Sequence, residues 1–432
     1  MPTALTTPAA LLASVPDLLD ISDSIKIVAV AEKYDNPSGP NSRVPEYTVP
    51  QGPPPHAYHC SKVETSWTQG FFPGLLWLLV ERRRLARDSV YWGYTEAQIA
   101  RLAHRFQDGF RHMATDAFNH DQGFRFQLSY GKGLELGGGK DADARTAVIE
   151  AADSLVARYD DKVGCIRSWD SMRKVGEDDV WRLDNMHEHY LVIIDNMMNL
   201  DLLYLATELT GDQHYAEIAT RQADKSLPTH VRPDGTTYHV VDFNADGTVK
   251  KSMTHQGYDD ESTWSRGQAW AAYGYAQCAL RTGRKDFVAV TRRVVDKFIA
   301  LLGPSGVPEW DFDAPKPCAY DASAGTITAR AMQMLYTLLR DDEPEAAQYY
   351  LARGFRLIAD VLRECKTPKA SITDGVVDFG EDGWETILQH STINGNRHSP
   401  RKIMDHGLVY ADFYLVQFGN EALKMALEEG GK

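Results

Sequence analysis

Apolar residues recur at the 3.6-residue spacing of an α-helix through most of this chain, in runs separated by polar or Gly- and Pro-rich stretches. Six runs are apolar nearly all round and rich in small or aromatic residues. They begin near Ser66 (SWTQGFFPGLLWLLVE), Ala147 (AVIEAADSLVAR), Val192 (VIIDNMMNLDLLYLA), Thr263 (TWSRGQAWAAYGYA), Ser323 (SAGTITARAMQML) and Gly407 (GLVYADFYLVQF). Between most of them lies a charged helix with a single apolar stripe, as in Thr95–Met113, Gln213–His230, Lys285–Leu302 and Pro344–Cys365. A helix apolar all round is buried, whereas one with a single stripe lies at the surface. Six of the first kind alternating with roughly six of the second predict an all-α toroid, with inner and outer rings of helices, as a single domain over residues 1–432. A weak echo between Trp67-Thr-Gln-Gly70 and Trp264-Ser-Arg-Gly267 fits repeated helical hairpins. A linear helical solenoid is the competing arrangement. Strand-like alternation is confined to short pieces such as Thr237 to Phe243, and the loops Tyr34–Pro55 and Thr373–Pro400 are long enough to be functional.

The net charge of -14 argues against a nucleic-acid partner, because phosphates reward a basic surface. It also means that an anionic substrate must be met by a local positive cluster. The five cysteines are widely spaced with no CxxC pair, the pattern of reduced thiols in the cytosol rather than of a disulfide framework or zinc site. The N-terminal stretch lacks a basic segment and its apolar run is broken by Pro, so no signal peptide is expected. No window is apolar for long enough to span a membrane. A cytoplasmic location follows as the expectation.

The densest chemistry lies in HQGYDDESTWSRGQAWAAYGYA, His255 to Ala276. Arg266 and Trp270 are four apart, so on a helix they share a face one turn from each other. A guanidinium fork beside an aromatic plane suits a flat anionic ligand such as a sugar acid. Asp195 sits in VIIDNMMNL, a carboxylate within an apolar helix. Such a group must be paired, protonated or facing a cavity. It is either a packing residue satisfied by neighbours, Asn199 one turn on among them, or a general acid whose pKa burial has raised. Asp121 in NHDQGFRF is either a turn residue before Gly or, with His120 and Phe124 beside it, part of a sugar subsite. Two Asp on separate inner elements can converge, and acid/base work on sugars commonly uses paired carboxylates. His239, His255 and Gln256 lie near helix starts and could line the same mouth. GLELGGG (133–139) lacks the Lys-Ser/Thr of a phosphate loop and reads as a flexible loop. EWDFDAP (309–315) lacks the spacing of a calcium loop, and no other His, Cys, Asp and Glu pattern has metal-ligand spacing.

Taken together, SWTQGFFPGLLWL, NHDQGF, IRSWD, IIDNMMNL, HQGYDDESTWSRGQAW, DFDAP followed by DASA, and GLVYADFYL resemble glycoside hydrolase family 88, the unsaturated glucuronyl hydrolases. The resemblance runs from roughly Glu64 to Phe418. It implies an α/α barrel of six helical hairpins that acts on small oligosaccharides left by polysaccharide lyases, which carry a 4,5-unsaturated uronic acid at the non-reducing end. No metal or organic cofactor is implied. The implied reaction begins with hydration of the C4=C5 vinyl ether. Asp195 matches the residue that protonates C4 and helps water add at C5, and Asp121 matches a second essential carboxylate. His239, His255, Gln256, Trp264, Arg266 and Trp270 match positions that bind the sugar acid. Trp169 of IRSWD matches a further stacking residue, with Trp181 as its competitor because the stretch from Ser171 to His189 is longer than the resemblance leads one to expect. The related unsaturated rhamnogalacturonyl hydrolases, an inverting glycosidase on a saturated sugar and a catalytically silent carbohydrate-binding barrel are the alternatives. Asp121 in its His-Asp-x-Gly-Phe setting favours the glucuronyl enzymes. The basic stretch with Arg397, Arg401 and Lys402 is either a contact to the next sugar or a solvated loop.

Overall fold

The computed structural model describes residues 7–49, 52–86, 94–176 and 180–430. Five long helices carry mostly buried side chains: Phe71–Leu85, Leu200–Thr210, Ser265–Thr282, Ala322–Leu339 and Val409–Gly430. A π-helical segment, Gly123–Gly131, joins them. Phe71–Leu85 packs against Gly123–Gly131, which packs against Leu200–Thr210. That helix meets Ser265–Thr282, which meets Ala322–Leu339, then Val409–Gly430, and the last returns to Phe71–Leu85. The amphipathic helices cover this set from outside: Glu96–Asp108 on Phe71–Leu85, Gln213–His230 on Leu200–Thr210, Lys285–Leu301 on Ser265–Thr282, and Pro344–Cys365 on Ala322–Leu339.

Local chemistry accounts for the ends of these elements. Thr95 and Gln98 form a reciprocal capping box at the start of Glu96–Asp108. Leu200–Thr210 and Ser265–Thr282 both stop at a glycine with positive φ, Gly211 at 80° and Gly283 at 68°, where a side chain would be strained.

Four expectations change. The Ala147 run forms the helix Ala142–Val156, but this helix covers the π-helical segment from outside instead of lining the inner set. Its inner position is taken by Gly123–Gly131 and the short helix Lys132–Leu136, the latter inside the stretch expected to be a flexible loop. A π-helix bonds five residues along and is a rare element, and this one is short with a Gly at each end, so the sequence reads there as a loop. The Thr95–Met113 run breaks at Asp108 and continues as a 3₁₀ turn, Arg111–Thr115. Asp195 is not inside an α-helix: it lies in a 3₁₀ turn, Ile194–Asn199, between the strand Tyr190–Ile193 and the helix Leu200–Thr210.

That strand belongs to a three-stranded antiparallel sheet with Val240–Phe243 and Val249–Met253. The register pairs Ile193 with Val240, so the strand ends deliver Asp195 and His239 side by side, and Ile194 N–H donates to the His239 carbonyl at 2.9 Å. Trp169 is bridged to Leu191 on the other edge.

Gly70, at the start of Phe71–Leu85, is where two inner elements touch. A Cβ there would stand 2.2 Å from the carbonyl oxygens of Phe124 and Arg125. Backbone cannot retreat cheaply, so Gly70→Ala is expected to cost about 3 kcal/mol in a denaturant titration and to displace the loop carrying Asp121.

Candidate active site

The two candidate carboxylates converge. Asp195 is 7% exposed, and burial pushes its carboxyl up to about 7. The Arg266 cation opposes this shift and the Asp121 charge adds to it, so both groups lie within electrostatic reach of Asp195. A carboxyl in this position keeps a proton near neutral pH and can donate it.

The histidines beside these carboxylates have defined tautomers. His239 Nδ1 accepts from the backbone N–H groups of His255 at 3.1 Å and Gln256 at 3.2 Å. The ring proton therefore sits on Nε2, which points at Asp195 Oδ2 across 3.9 Å. Burial, with the charges of His255 and Arg266 adding, holds His239 well below the usual histidine range, so it is a neutral donor. His120 follows the same logic. The Asn199 amide has its carbonyl fixed by Gly123 N–H at 2.8 Å, so its NH₂ donates to His120 Nδ1 at 3.3 Å. His120 Nε2–H is left 3.3 Å from Asp121 Oδ1, and burial lowers the ring's pKa. Asn199 thus orients His120 and does not bond Asp195, because the 3₁₀ turn rotates it away from the i+4 position expected on an α-helix.

His255 Nε2–H donates to the Arg173 carbonyl at 3.1 Å, and Gln256 Nε2 donates to the Ile393 carbonyl at 3.1 Å. Trp169, half-buried, stands edge-on to His239 (centroids 5.8 Å) and His255 (5.4 Å). Trp181 pairs through its backbone with Lys174 in the hairpin Met172–Val175/Val180–Leu183; its side chain lies outside the described residues. Trp264 packs on His239 at 4.5 Å and under the Arg266 guanidinium at 4.7 Å. Trp270 and Phe124 are fully buried and pack together at 5.1 Å, so they form the floor and present no open face.

Arg266 departs from the sequence reading. Its fork does not stand free for a ligand carboxylate. Nη1 donates to Asp321 Oδ2 and to the Thr392 carbonyl, each at 2.5 Å, and Nη2 donates to the Ile393 carbonyl at 2.6 Å. The ion pair has 1% and 0% side-chain exposure and ties the helix Ser265–Thr282 to the N-cap of Ala322–Leu339, while the two carbonyl bonds tie it to the 391–396 loop. Breaking such a pair strands a buried charge. Asp321→Ala is expected to cost about 3–5 kcal/mol, read from denaturant midpoints, and to lower activity through the displaced loop.

Two further residues belong to this wall. Half-buried Trp67 packs on Phe124 at 5.0 Å and on Tyr410 at 5.3 Å, while the Arg266 cation lies 5.4 Å from the Tyr410 ring. The Trp67/Trp264 echo was the available signal for the first; Tyr410, inside an apolar helix, gave none. Five buried atoms that point into this region make no aligned hydrogen bond among the described residues: His120 Nε2, Asp195 Oδ2, His239 Nε2, Trp264 Nε1 and Trp270 Nε1. Buried polar atoms are normally satisfied, so these five have bonding capacity left for a polar ligand. Among the described residues no group of three His, Cys, Asp or Glu side chains is placed to hold a metal ion. All five cysteines are free, and no described helix is long and apolar enough to cross a membrane.

A helical scaffold that brings two coupled carboxylates, neutral imidazole donors and a wall of aromatic rings together defines a carbohydrate-active hydrolase. No family model matches the chain. Over 366 residues, 83% of this chain and 79% of the relative, it is 34% identical to an unsaturated glucuronyl hydrolase of Formosa agariphila. It is 31% identical to the unsaturated glucuronyl hydrolase of Bacillus sp. (strain GL1), over 82% of this chain and 85% of that one. The fold matches a crystal structure of an unsaturated glucuronyl hydrolase specific for heparin with a TM-score of 0.74 at 28% identity, covering 98% of both chains. The chain belongs to the unsaturated glucuronyl hydrolases, glycoside hydrolase family 88.

Proposed function

We propose that this enzyme removes a 4,5-unsaturated uronic acid from the non-reducing end of small lyase-generated oligosaccharides, beginning with hydration of the C4=C5 vinyl ether. The raised pKa of buried Asp195, set between Asp121, Arg266 and His239, carries this reading. Protonating an alkene carbon requires an acid that still holds its proton near neutral pH. Asp195 gives that proton to C4, and positive charge develops at C5, shared with the ring oxygen. Water adds at C5 and loses its proton to the Asp195 carboxylate. The resulting hemiketal opens to a C5 ketone, the anomeric carbon becomes an aldehyde, and the aglycone sugar leaves as an alcohol.

His239 Nε2–H and Asp121 hold polar groups of the sugar, His255 and Gln256 line its edge, and Trp169, Trp264 and Trp67 enclose its faces above Phe124 and Trp270. Arg266 acts through its charge and through the loop it anchors. The closed run of contacts among the inner helices supports an α/α barrel of six hairpins in one domain. The relatives named for unsaturated glucuronyl substrates support this substrate over a pectin-derived galacturonyl-rhamnose. Their being enzymes speaks against a silent binding barrel.

Turnover in oxygen-18-labelled water tests the bond order. The label should appear at C5 of the released uronate. Label at the anomeric carbon would mean direct displacement and would reject the hydration route.

A further inference from the structure

The motif EWDFDAP (309–315) takes no part in the chemistry just described, yet it is the template on which the 254–265 substrate loop is built. Trp264 and Asp311 form an antiparallel bridge, and Phe312 N–H donates to the Thr263 carbonyl at 3.0 Å. Trp310 Nε1 donates to the Gln256 carbonyl at 3.0 Å. Asp311 is fully buried, and one of its carboxylate oxygens takes two bonds from the loop: Tyr258 N–H at 2.8 Å and the Ser262 hydroxyl at 2.7 Å. Its other oxygen accepts from Asp313 N–H at 3.0 Å, and Asp313 in turn accepts from Thr263 N–H at 2.8 Å. The fit is close at Gly257, where a Cβ would stand 2.9 Å from Asp311 Oδ2.

Gln256 is therefore held through its own carbonyl by Trp310 and through the next two residues by Asp311. On the far side, Asn394 Nδ2 donates to the His255 carbonyl at 3.2 Å, and Asn396 donates to that of Gly257. The Asp311 side fixes where the loop sits, because its partners are buried charge-assisted bonds. Those on the far side come from Asn394 and Asn396, which are buried too but use neutral amides, the weaker kind of bond.

We infer that Asp311 is the positioning residue of the substrate loop, fixing Gln256 and His255 against the sugar without touching it. The inference rests on the proposed function for the role of those two residues. A residue that acts only by placing binding groups changes KM more than kcat, whereas one that only supports the fold lowers the active fraction and leaves KM alone.

The experiment measures KM, kcat and thermal midpoint on an unsaturated glucuronyl disaccharide for wild type, Asp311→Ala, Asp311→Asn, Ser262→Ala, Gln256→Ala and the Asp311→Asn/Gln256→Ala double variant. Asp311→Ala should raise KM by about tenfold with kcat changed far less. Asp311→Asn should be milder, since one amide oxygen can still accept from Tyr258 and Ser262, and Ser262→Ala, which removes a single donor, milder still. The double variant should be less than additive, its KM exceeding that of Gln256→Ala by a smaller factor than Asp311→Asn produces alone, because part of the Asp311 effect runs through Gln256 and part through His255. If Asp311→Ala does not fold, the Asn and Ser262 variants and the double variant carry the test. Wild-type turnover with unchanged KM in the Asn and Ser262 variants, or additive effects in the double variant, overturns the positioning role alone. Absence of wild-type turnover rejects the proposed function, and the positioning role falls with it.

Discussion

Asn in place of Asp195 leaves a folded protein whose kcat is lower by on the order of a thousandfold or more, the loss expected when the positioned proton donor of a rate-limiting protonation is removed. Size and shape are conserved and Oδ2 has no protein hydrogen bond to lose among the described residues, so the substitution breaks no network. Stability moves the other way. The carboxyl's pKa rises from 3.8 to about 7 on folding, so its ionisation opposes the folded state. Stability linked to this group is complete below about pH 4 and is lost as pH rises through about 7. A shift of about three units corresponds to about 4 kcal/mol. Asp195→Asn should therefore raise the thermal midpoint above pH 7 by an amount equivalent to as much as about 4 kcal/mol, and the gain should vanish below about pH 4. An inactive variant that is more stable than wild type only at the higher pH is a signature that a misfolded protein cannot give. Wild-type activity should decline as pH rises past about 7, where Asp195 loses its proton.

Asp121→Asn tests the coupling of the pair. The Asp121 charge is one of the causes holding the Asp195 proton in place. Without it the Asp195 pKa falls, because Arg266 then acts against burial with less opposition. The basic limb of the pH–rate profile should move to lower pH, and kcat at neutral pH should drop by about a hundredfold or more. A variant with an unmoved limb and reduced kcat would mean that Asp121 serves only to hold the sugar.

The amphipathic helices were legible because one apolar stripe at the helical period has no other simple explanation. Gln213–His230 and Pro344–Cys365 match residue for residue. The inner element Gly123–Gly131 was not legible, since it is a short π-helix bounded by glycines and too brief to show a helical repeat. The same holds on a smaller scale at Asp195. An apolar strand running into a 3₁₀ turn reads like an apolar helix, and the assumed i+4 neighbour Asn199 turns out to serve His120. Arg266 was read as facing a ligand carboxylate, and in the fold its fork is engaged within the protein. Its carboxylate is Asp321, 55 residues on, a pairing that only the tertiary fold brings together. Residue types pointed to the chemistry of the candidate site, and long-range packing decided which of its groups are paired within the protein.

The most direct test follows the ultraviolet absorbance of the conjugated C4=C5 bond while the enzyme acts on an unsaturated glucuronyl disaccharide. The account predicts steady loss of that absorbance with wild type and none with Asp195→Asn. An undiminished signal with wild type on this substrate would contradict it, and decay on a pectin-derived unsaturated disaccharide alone would move the enzyme's substrate class.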